Sequence, residues 1–327
     1  DFSALRRQAF TMAELVEFID ESPADGVSGL LEPGPGEATP SPKLRTQFSA
    51  LGDIGSLDLR HYQLAPGCEL YLECAEQCGF QSSVGTTEAD NESDRPSDEP
   101  PGKHEPATVS ILEMTRAIAA GLQSPQHRAR LETQRQSARR DQHAVRRFAR
   151  SLIKETIRIL TVRLTLAFRP QALFSVTPEY VRSALRDLLR TARLQRQFQP
   201  MLGFVWVMQD HPVTGPRVRL LALFNGDHVT KAQDLAVSLG ELWEEAVTGG
   251  KGLSLSGLIQ DGKTTAPCGS MVETEGQRSE LVELAASLRN QPLAPLVVSG
   301  PTFGFGRIQG DPLGTSTPKK GFLAELE

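Results

Sequence analysis

The sequence predicts an α+β fold: a mainly antiparallel sheet with helices packed on one face, preceded by a partly disordered N-terminal region. Three observations lead to it. Runs rich in β-branched and apolar residues at 157–168, 204–209 and 217–224 alternate with helical patterns at 177–197, 231–247 and 277–289. Only the turn-forming stretch DHPVTGP (210–216) separates the second and third runs, so they pair most simply as an antiparallel hairpin. Residues 82–107 are acidic, polar and almost free of apolar groups, too poor in burial to offset chain entropy.

Each element has a local reason. Residues 4–20 place Phe10, Leu15 and Phe18 at helical spacing, and Pro23 restrains the end of that helix. The Pro/Gly/Ser-rich stretch 32–43 reads as a linker. A long helical region at 109–156 carries Ile111, Met114, Ile118 and Leu122 on one face, and Ser124-Pro125 breaks it. The remainder, through Glu155, has few apolar residues and many arginines, as an exposed basic helix would. Thr177 is placed to cap the helix at 177–197, with Pro178 in its first turn. That helix buries Val181, Leu185 and Leu188, and turns out Arg182, Arg186, Arg190, Arg193 and Arg196. The helix at 231–247 faces the core with Leu235, Leu239, Leu242 and Trp243. The domain limits that follow are a small N-terminal region at 1–80, a linker at 81–108, a basic helical connector at 109–156, the α+β domain at 157–310 and a tail at 311–327.

Composition excludes several classes. The hydrophobic fraction, 39%, is low for a chain packed throughout. No apolar run reaches the roughly 18 residues of a membrane span. The opening residues lack a basic-then-apolar leader pattern. Four cysteines in 327 residues do not make a disulfide scaffold, so the expected compartment is the reducing cytoplasm. Charge is strongly segregated: residues 1–110 hold 7 Lys/Arg against 20 Asp/Glu, and residues 126–200 hold 17 against 5. An acidic half followed by an arginine-rich stretch points to a nucleic-acid partner or to masking by the acidic arm.

Two motifs carry little chemistry. His61, Cys68, Cys74 and Cys78 do not have a standard zinc spacing. Gly249-Gly250-Lys251-Gly252 lacks the Gly-x4-Gly-Lys-Ser/Thr spacing of a phosphate loop. Phe303-Gly304-Phe305-Gly306-Arg307 reads either as a tight turn beside a core or as aromatics and a cation offered to unstacked bases.

The strand VRLTLAF (162–168), the strand GFVWVMQ (203–209), the hairpin return GPRVRLLALFNG (215–226), LGELWEEAVTGGKG (239–252) and FGFGR (303–307) occur in an order that resembles the YagK/YfjJ C-terminal domain family. These inovirus replication proteins are similar to rolling-circle initiators of the HUH endonuclease type. The resemblance covers about half the chain. It implies a metal held by two histidines at i and i+2 of one strand, and a tyrosine that attacks a phosphate and links covalently to DNA.

This sequence departs from that pattern in four places. Arg217-Val218-Arg219 stands at the His-x-His position, and arginine has no lone pair for a metal. Arg163-Leu164-Thr165-Leu166-Ala167 replaces the family's Arg-x-Asp-Leu-His. The acidic position after the tryptophan strand falls on Gln209 or Asp210. The helix SELVELAASLRN has no tyrosine; the tyrosines are Tyr62, Tyr71 and Tyr180. The resemblance therefore implies a DNA-binding, replication-initiator-like protein of a bacterial mobile element or filamentous prophage, with a degenerate nuclease site. Its partner would be single-stranded DNA or an origin hairpin, with no cofactor and no membrane. Arg163, Arg217 and Arg219, at odd positions of two strands, would make the former metal face cationic, alongside Arg182, Arg186, Arg190, Arg193, Lys251 and Arg307 as DNA contacts. Two alternatives stand beside it: an active nuclease with other ligands and a divalent metal, and a non-catalytic interaction scaffold whose arginines pair with Glu241, Glu244 or Glu245.

Overall fold

Ten consecutive buried residues, Ile159–Phe168, form the strand on which the main sheet is built (β1). The structure, a computed structural model, describes residues 2–20, 31–32, 39–40, 62–78, 107–210, 215–256, 258–260, 263–266, 268–289, 296–298 and 302–308. The expected disordered segment 82–107 lies outside them, apart from Ala107. The chain divides into two compact units. One comprises Asp1–Arg6, Leu59–Gln63 and Thr133–Glu327, and the other comprises Arg7–Asp58 and Leu64–Glu132.

The first unit holds a six-stranded antiparallel sheet. Its other strands are β2 (Met201–Gln209), β3 (Arg217–Asn225), β4 (Gly252–Ser256), β5 (Gly269–Val272) and β6 (Phe303–Arg307). β3 lies between β1 and β2, and β6 pairs with the far side of β2. The outer edge of β1 is shared: β5 pairs with Ile159–Val162, and β4 with Leu164–Phe168. The three strands expected from sequence are neighbours, and β2 and β3 form the expected hairpin.

Side chains alternate across a sheet, so each strand offers two faces. On the even-numbered face Phe168 meets Trp243 edge-on at 5.3 Å between ring centroids, and Tyr180 at 5.8 Å. Those rings belong to two helices. Tyr180 lies on α5 (Pro178–Leu194), whose N-cap Thr177 accepts from the Tyr180 N–H. Trp243 lies in a π-helical turn, Leu242–Val247, that continues α6 (Ala232–Glu241). Together they supply the helical layer that the sequence predicts.

A second layer covers part of the odd-numbered face. Val145, Phe148, Ala149 and Leu152 of α4 (Pro125–Glu155) share one core with Ile159, Val205, Val207, Leu221 and Leu223. Leu281, Val282 and Ala285 of α7 (Glu275–Ser287) join them. The reason is in the strands, which are apolar at both parities over this half of the sheet and so need cover on both sides. The helical stretch expected as a separate connector thus contributes its C-terminal half to the core. Ion pairs fasten it at the surface: Arg146 with Glu283 at 2.8 Å, Arg289 with Asp141 at 3.1 Å, and Arg307 with Glu155 at 2.6 Å. β6 seats Phe305 against Phe148 at 5.0 Å, while Gly304 lies on the Trp206 indole, where a Cβ would come within 2.7 Å of Nε1.

The second unit holds α1 (Phe2–Asp20) from Arg7 onward, α2 (Pro66–Gln77), α3 (Ala107–Leu122) and the first turns of α4, together with a short antiparallel pair, Leu31–Glu32 with Thr39–Pro40, at the stretch expected as a linker. Ser124-Pro125 separates α3 from α4, as the sequence predicts. Met12, Leu15, Leu70, Tyr71, Met114 and Ile118 are buried in this unit. The Cys68 thiol donates to the Ala9 carbonyl. Burial pushes the Cys68 thiol up to about 12 and the Cys74 thiol up to about 11.

His127 is also buried here, and its Nδ1 has no hydrogen-bond partner among the described residues. Burial lowers its pKa below the ordinary 6.5, assisted by Arg130 and opposed by Asp20, Glu73 and Glu69. The unfolded chain therefore takes up a proton that the folded imidazole resists. Stability from this group is complete above pH 6.5 and is lost as pH falls through the lowered folded value. Thermal unfolding of the full chain over about pH 8 to 5 should show a fall that His127→Leu flattens. Parallel profiles for the two proteins would rule out His127 as the source.

Candidate nucleic-acid interface

Two groups of cations are candidates for binding a polyanion, and they differ in exposure. The first is the arginine cluster on the odd face of the sheet. Arg219 stands opposite Thr165 of β1 and Val207 of β2, and Arg217 stands opposite Gln209. Arg163, two residues before Thr165, is diagonal to Arg219, a relation of about 7–8 Å between Cα atoms. The three arginines therefore share a face, as their odd numbering requires.

That face is not open. Arg219 is 2% exposed and Arg163 8% exposed, while Arg217 is half-buried. Arg163, Arg217, Arg219, Gln209 and Asp210 each interact with neighbouring groups. Arg163 donates from Nη2 to Ser270 Oγ at 3.2 Å, and burial lowers its pKa, with the Cys268 thiol acting the other way. The acids expected as alternative partners lie elsewhere. Glu244 accepts from Ser254 N–H and Oγ–H at 2.8 and 2.7 Å and pairs with Arg169, on the face that α6 covers. An open phosphate-binding surface at Arg163 and Arg219 is thus corrected to a buried cationic patch.

The remaining expected contacts are scattered. Arg182 pairs with Glu179 and Arg190 with Asp187, both within α5, and Arg186 and Arg193 are engaged by neighbours. Lys251 sits over the Tyr180 ring, its Nζ 5.7 Å from the centroid. It follows Gly249 and Gly250, both at positive φ. Arg307 forms two hydrogen bonds to Glu155, at 2.6 and 2.8 Å, and one to Ser151 Oγ. This answers both readings of the FGFGR stretch: it is an edge strand whose arginine fastens α4.

The second group is continuous and exposed. Along α4, Arg135, Arg139, His143, Arg147, Arg150 and Lys154 are all exposed. Their spacing of four, four, four, three and four residues draws one stripe on the side of the helix away from Val145, Phe148 and Leu152. The stripe runs about 28 Å, most of the roughly 34 Å repeat of duplex DNA. Arg135, Arg147 and Lys154 have no ion pair among the described residues. Asp141 and Glu155, the acids beside the stripe, are drawn aside by Arg289 and Arg307. Hydrogen bonding by Arg307 lowers the Glu155 pKa, so that carboxylate stays ionised and tied to β6.

The position of Tyr180 also bears on chemistry. Its ring packs on Phe168, on the even face, whereas Arg217 and Arg219 belong to the odd face. A phosphate held at the arginines is on the other side of the sheet from this hydroxyl. Tyr71 is buried in the helical unit. Among the described residues no group of three or more His, Cys, Asp or Glu side chains is placed to hold a metal ion; His61 lies outside them. No helix of the described residues is long and apolar enough to cross a membrane. Compared with known proteins, the chain matches no family model, no curated protein and no solved structure.

Proposed function

We infer that this chain is a DNA-binding protein of the replication-initiator-like kind, from a mobile element or filamentous prophage, acting without DNA cleavage. The observation that carries DNA binding is the stripe from Arg135 to Lys154, four exposed arginines and a lysine with His143 among them, on a helix anchored to the sheet. Such a row releases condensed counterions when it lies along phosphates, which makes affinity high and strongly salt-dependent. Guanidinium groups suit this contact because their forked donors match phosphate oxygens. The loss of cleavage is supported by arginines at the two positions where the resembled family has histidines, and by Tyr180 facing the opposite side of the sheet. The α5 arginines are the weaker candidates, since Arg182 and Arg190 each pair with an acid on their own helix.

The test is binding of the full chain to labelled single-stranded, hairpin and duplex DNA over a range of salt. About five phosphate contacts give a slope of log affinity against log salt near −4. No nicked strand and no covalent tyrosine–DNA adduct should form with magnesium or manganese. Salt-insensitive or absent binding would favour an interaction scaffold, and an adduct at Tyr180 would restore a nuclease.

A further inference from the structure

Between β1, β5 and α7 the sheet lines a partly open cavity of about 260 Å³. One side of it is polar. Thr161 and Arg163 are buried there, and Ser270 lines it beside them. Thr161 Oγ1 accepts from the Ser270 N–H at 3.0 Å, donates to the Ser270 carbonyl at 3.1 Å and lies 3.1 Å from Ser270 Oγ, which in turn accepts from Arg163 Nη2. This chain of bonds fixes a guanidinium and two hydroxyls around one point. One wall is a single face of α7, carrying Gln277, Glu280, Leu281 and Leu284 at helical spacing. Gln277 lies in the first turn of that helix, where its Oε1 accepts from the Glu273 and Thr274 N–H groups and completes the capping box. Glu280 is exposed, at the mouth.

We propose that this cavity binds a nucleoside monophosphate, either free or as the terminal nucleotide of a DNA strand, with its phosphate against Arg163 and Ser270. The charge pattern decides the orientation. The Arg163 guanidinium and the Ser270 hydroxyl on the polar side take the anion, and charge-assisted bonds from arginine are the strong ones. Leu281 and Leu284 give the sugar and ring an apolar wall. The carboxylate of Glu280 opposes a second anion at the mouth and accepts from an exocyclic amine, the pairing by which carboxylates read cytosine. The wall from Gln277 to Leu284 spans about 10 Å, comparable with the reach of a nucleotide from phosphate to base edge. The burial that lowers the Arg163 pKa is the condition under which an added anion gains most.

The experiment titrates the full chain with deoxycytidine 5′-monophosphate by calorimetry, with deoxycytidine and inorganic phosphate as controls. The monophosphate should bind at least tenfold more tightly than either control. Ser270→Asp, which sets a carboxylate against Arg163, and Leu284→Trp, which fills the mouth, should each abolish the heat. Both leave the buried arginine in place, so a folding failure of Arg163→Gln does not decide the matter. A 5′-phosphorylated oligonucleotide that competes with the monophosphate identifies a strand end as the source, and failure to compete identifies the free nucleotide. Absence of binding, equal binding of inorganic phosphate, or binding unchanged in both variants would overturn the proposal. The site is independent of the α4 stripe: loss of salt-dependent DNA binding in a stripe variant leaves it intact, and the cavity variants leave the stripe intact.

Discussion

Replacing Arg135, Arg147, Arg150 and Lys154 together by glutamate should weaken DNA binding on the order of a thousandfold at about 0.1 M salt. Each lost phosphate contact removes about 0.9 from the salt slope on duplex DNA and about 0.7 on a single strand, and the introduced acids add repulsion. Stability should change little, because all four side chains are exposed and opposite the residues that α4 buries. Reversal of Arg190 on α5 is the control, because its side chain is exposed like those of the stripe. That arginine belongs to the other side of the sheet and already pairs within its helix, so affinity should fall only a few-fold. Fluorescence anisotropy at several salt concentrations, with circular dichroism to confirm folding, separates the outcomes. A larger loss from the α5 variant would move the interface to that face.

Much of this surface can be read directly from the chain. The four-residue recurrence of basic side chains from Arg135 onward is plain, and so is the set Val145, Phe148, Ala149, Leu152 that turns inward. What obscures the latter is dilution: four apolar residues among so many arginines read as an exposed helix, and only the sheet beneath reveals an anchored one. The strands β1, β2 and β3 are equally visible, because their β-branched runs are bounded by turn chemistry. The common face of Arg163, Arg217 and Arg219 follows from parity alone. Their burial does not, since it depends on which elements close over that part of the sheet.

Two edge strands leave almost no signal. β5 is four residues long, and Gly269 serves a close approach: a Cβ there would come within 2.2 Å of the Thr161 carbonyl. β6 alternates glycine with aromatics, which imitates a turn, yet Gly304 is required where the strand crosses the Trp206 indole. The Thr161–Arg163–Ser270 cavity is hidden for the same reason, because its polar end joins β1 to a strand that the sequence pattern does not announce.

Trp243→Ala should be the most damaging single substitution in the sheet unit, costing about 3–5 kcal/mol. The side chain is fully buried in the π-helical turn that follows α6. Its indole N–H donates to the Ala167 carbonyl at 3.0 Å, its ring meets the Phe168 ring edge-on, and Gly252 presses against it, where a Cβ would lie 2.7 Å from Nε1. Truncation opens a large cavity on the even face, leaves the Ala167 carbonyl without this donor, and removes the partner of Phe168. Against a total stability of about 5–15 kcal/mol for a domain, that is roughly a fifth or more. Trp243→Phe keeps a ring on Phe168 and loses chiefly the hydrogen bond, so it should cost only about 1–2 kcal/mol. Denaturant unfolding followed by the remaining tryptophan, Trp206, which is buried beneath Gly304, reads both variants. Folded Trp243→Ala protein, at low temperature, should retain salt-dependent DNA binding, because the stripe and Trp243 belong to helices on opposite faces of the sheet. A shift below about 1 kcal/mol for Trp243→Ala would mean that the π-helical turn is not keyed into the core through its indole.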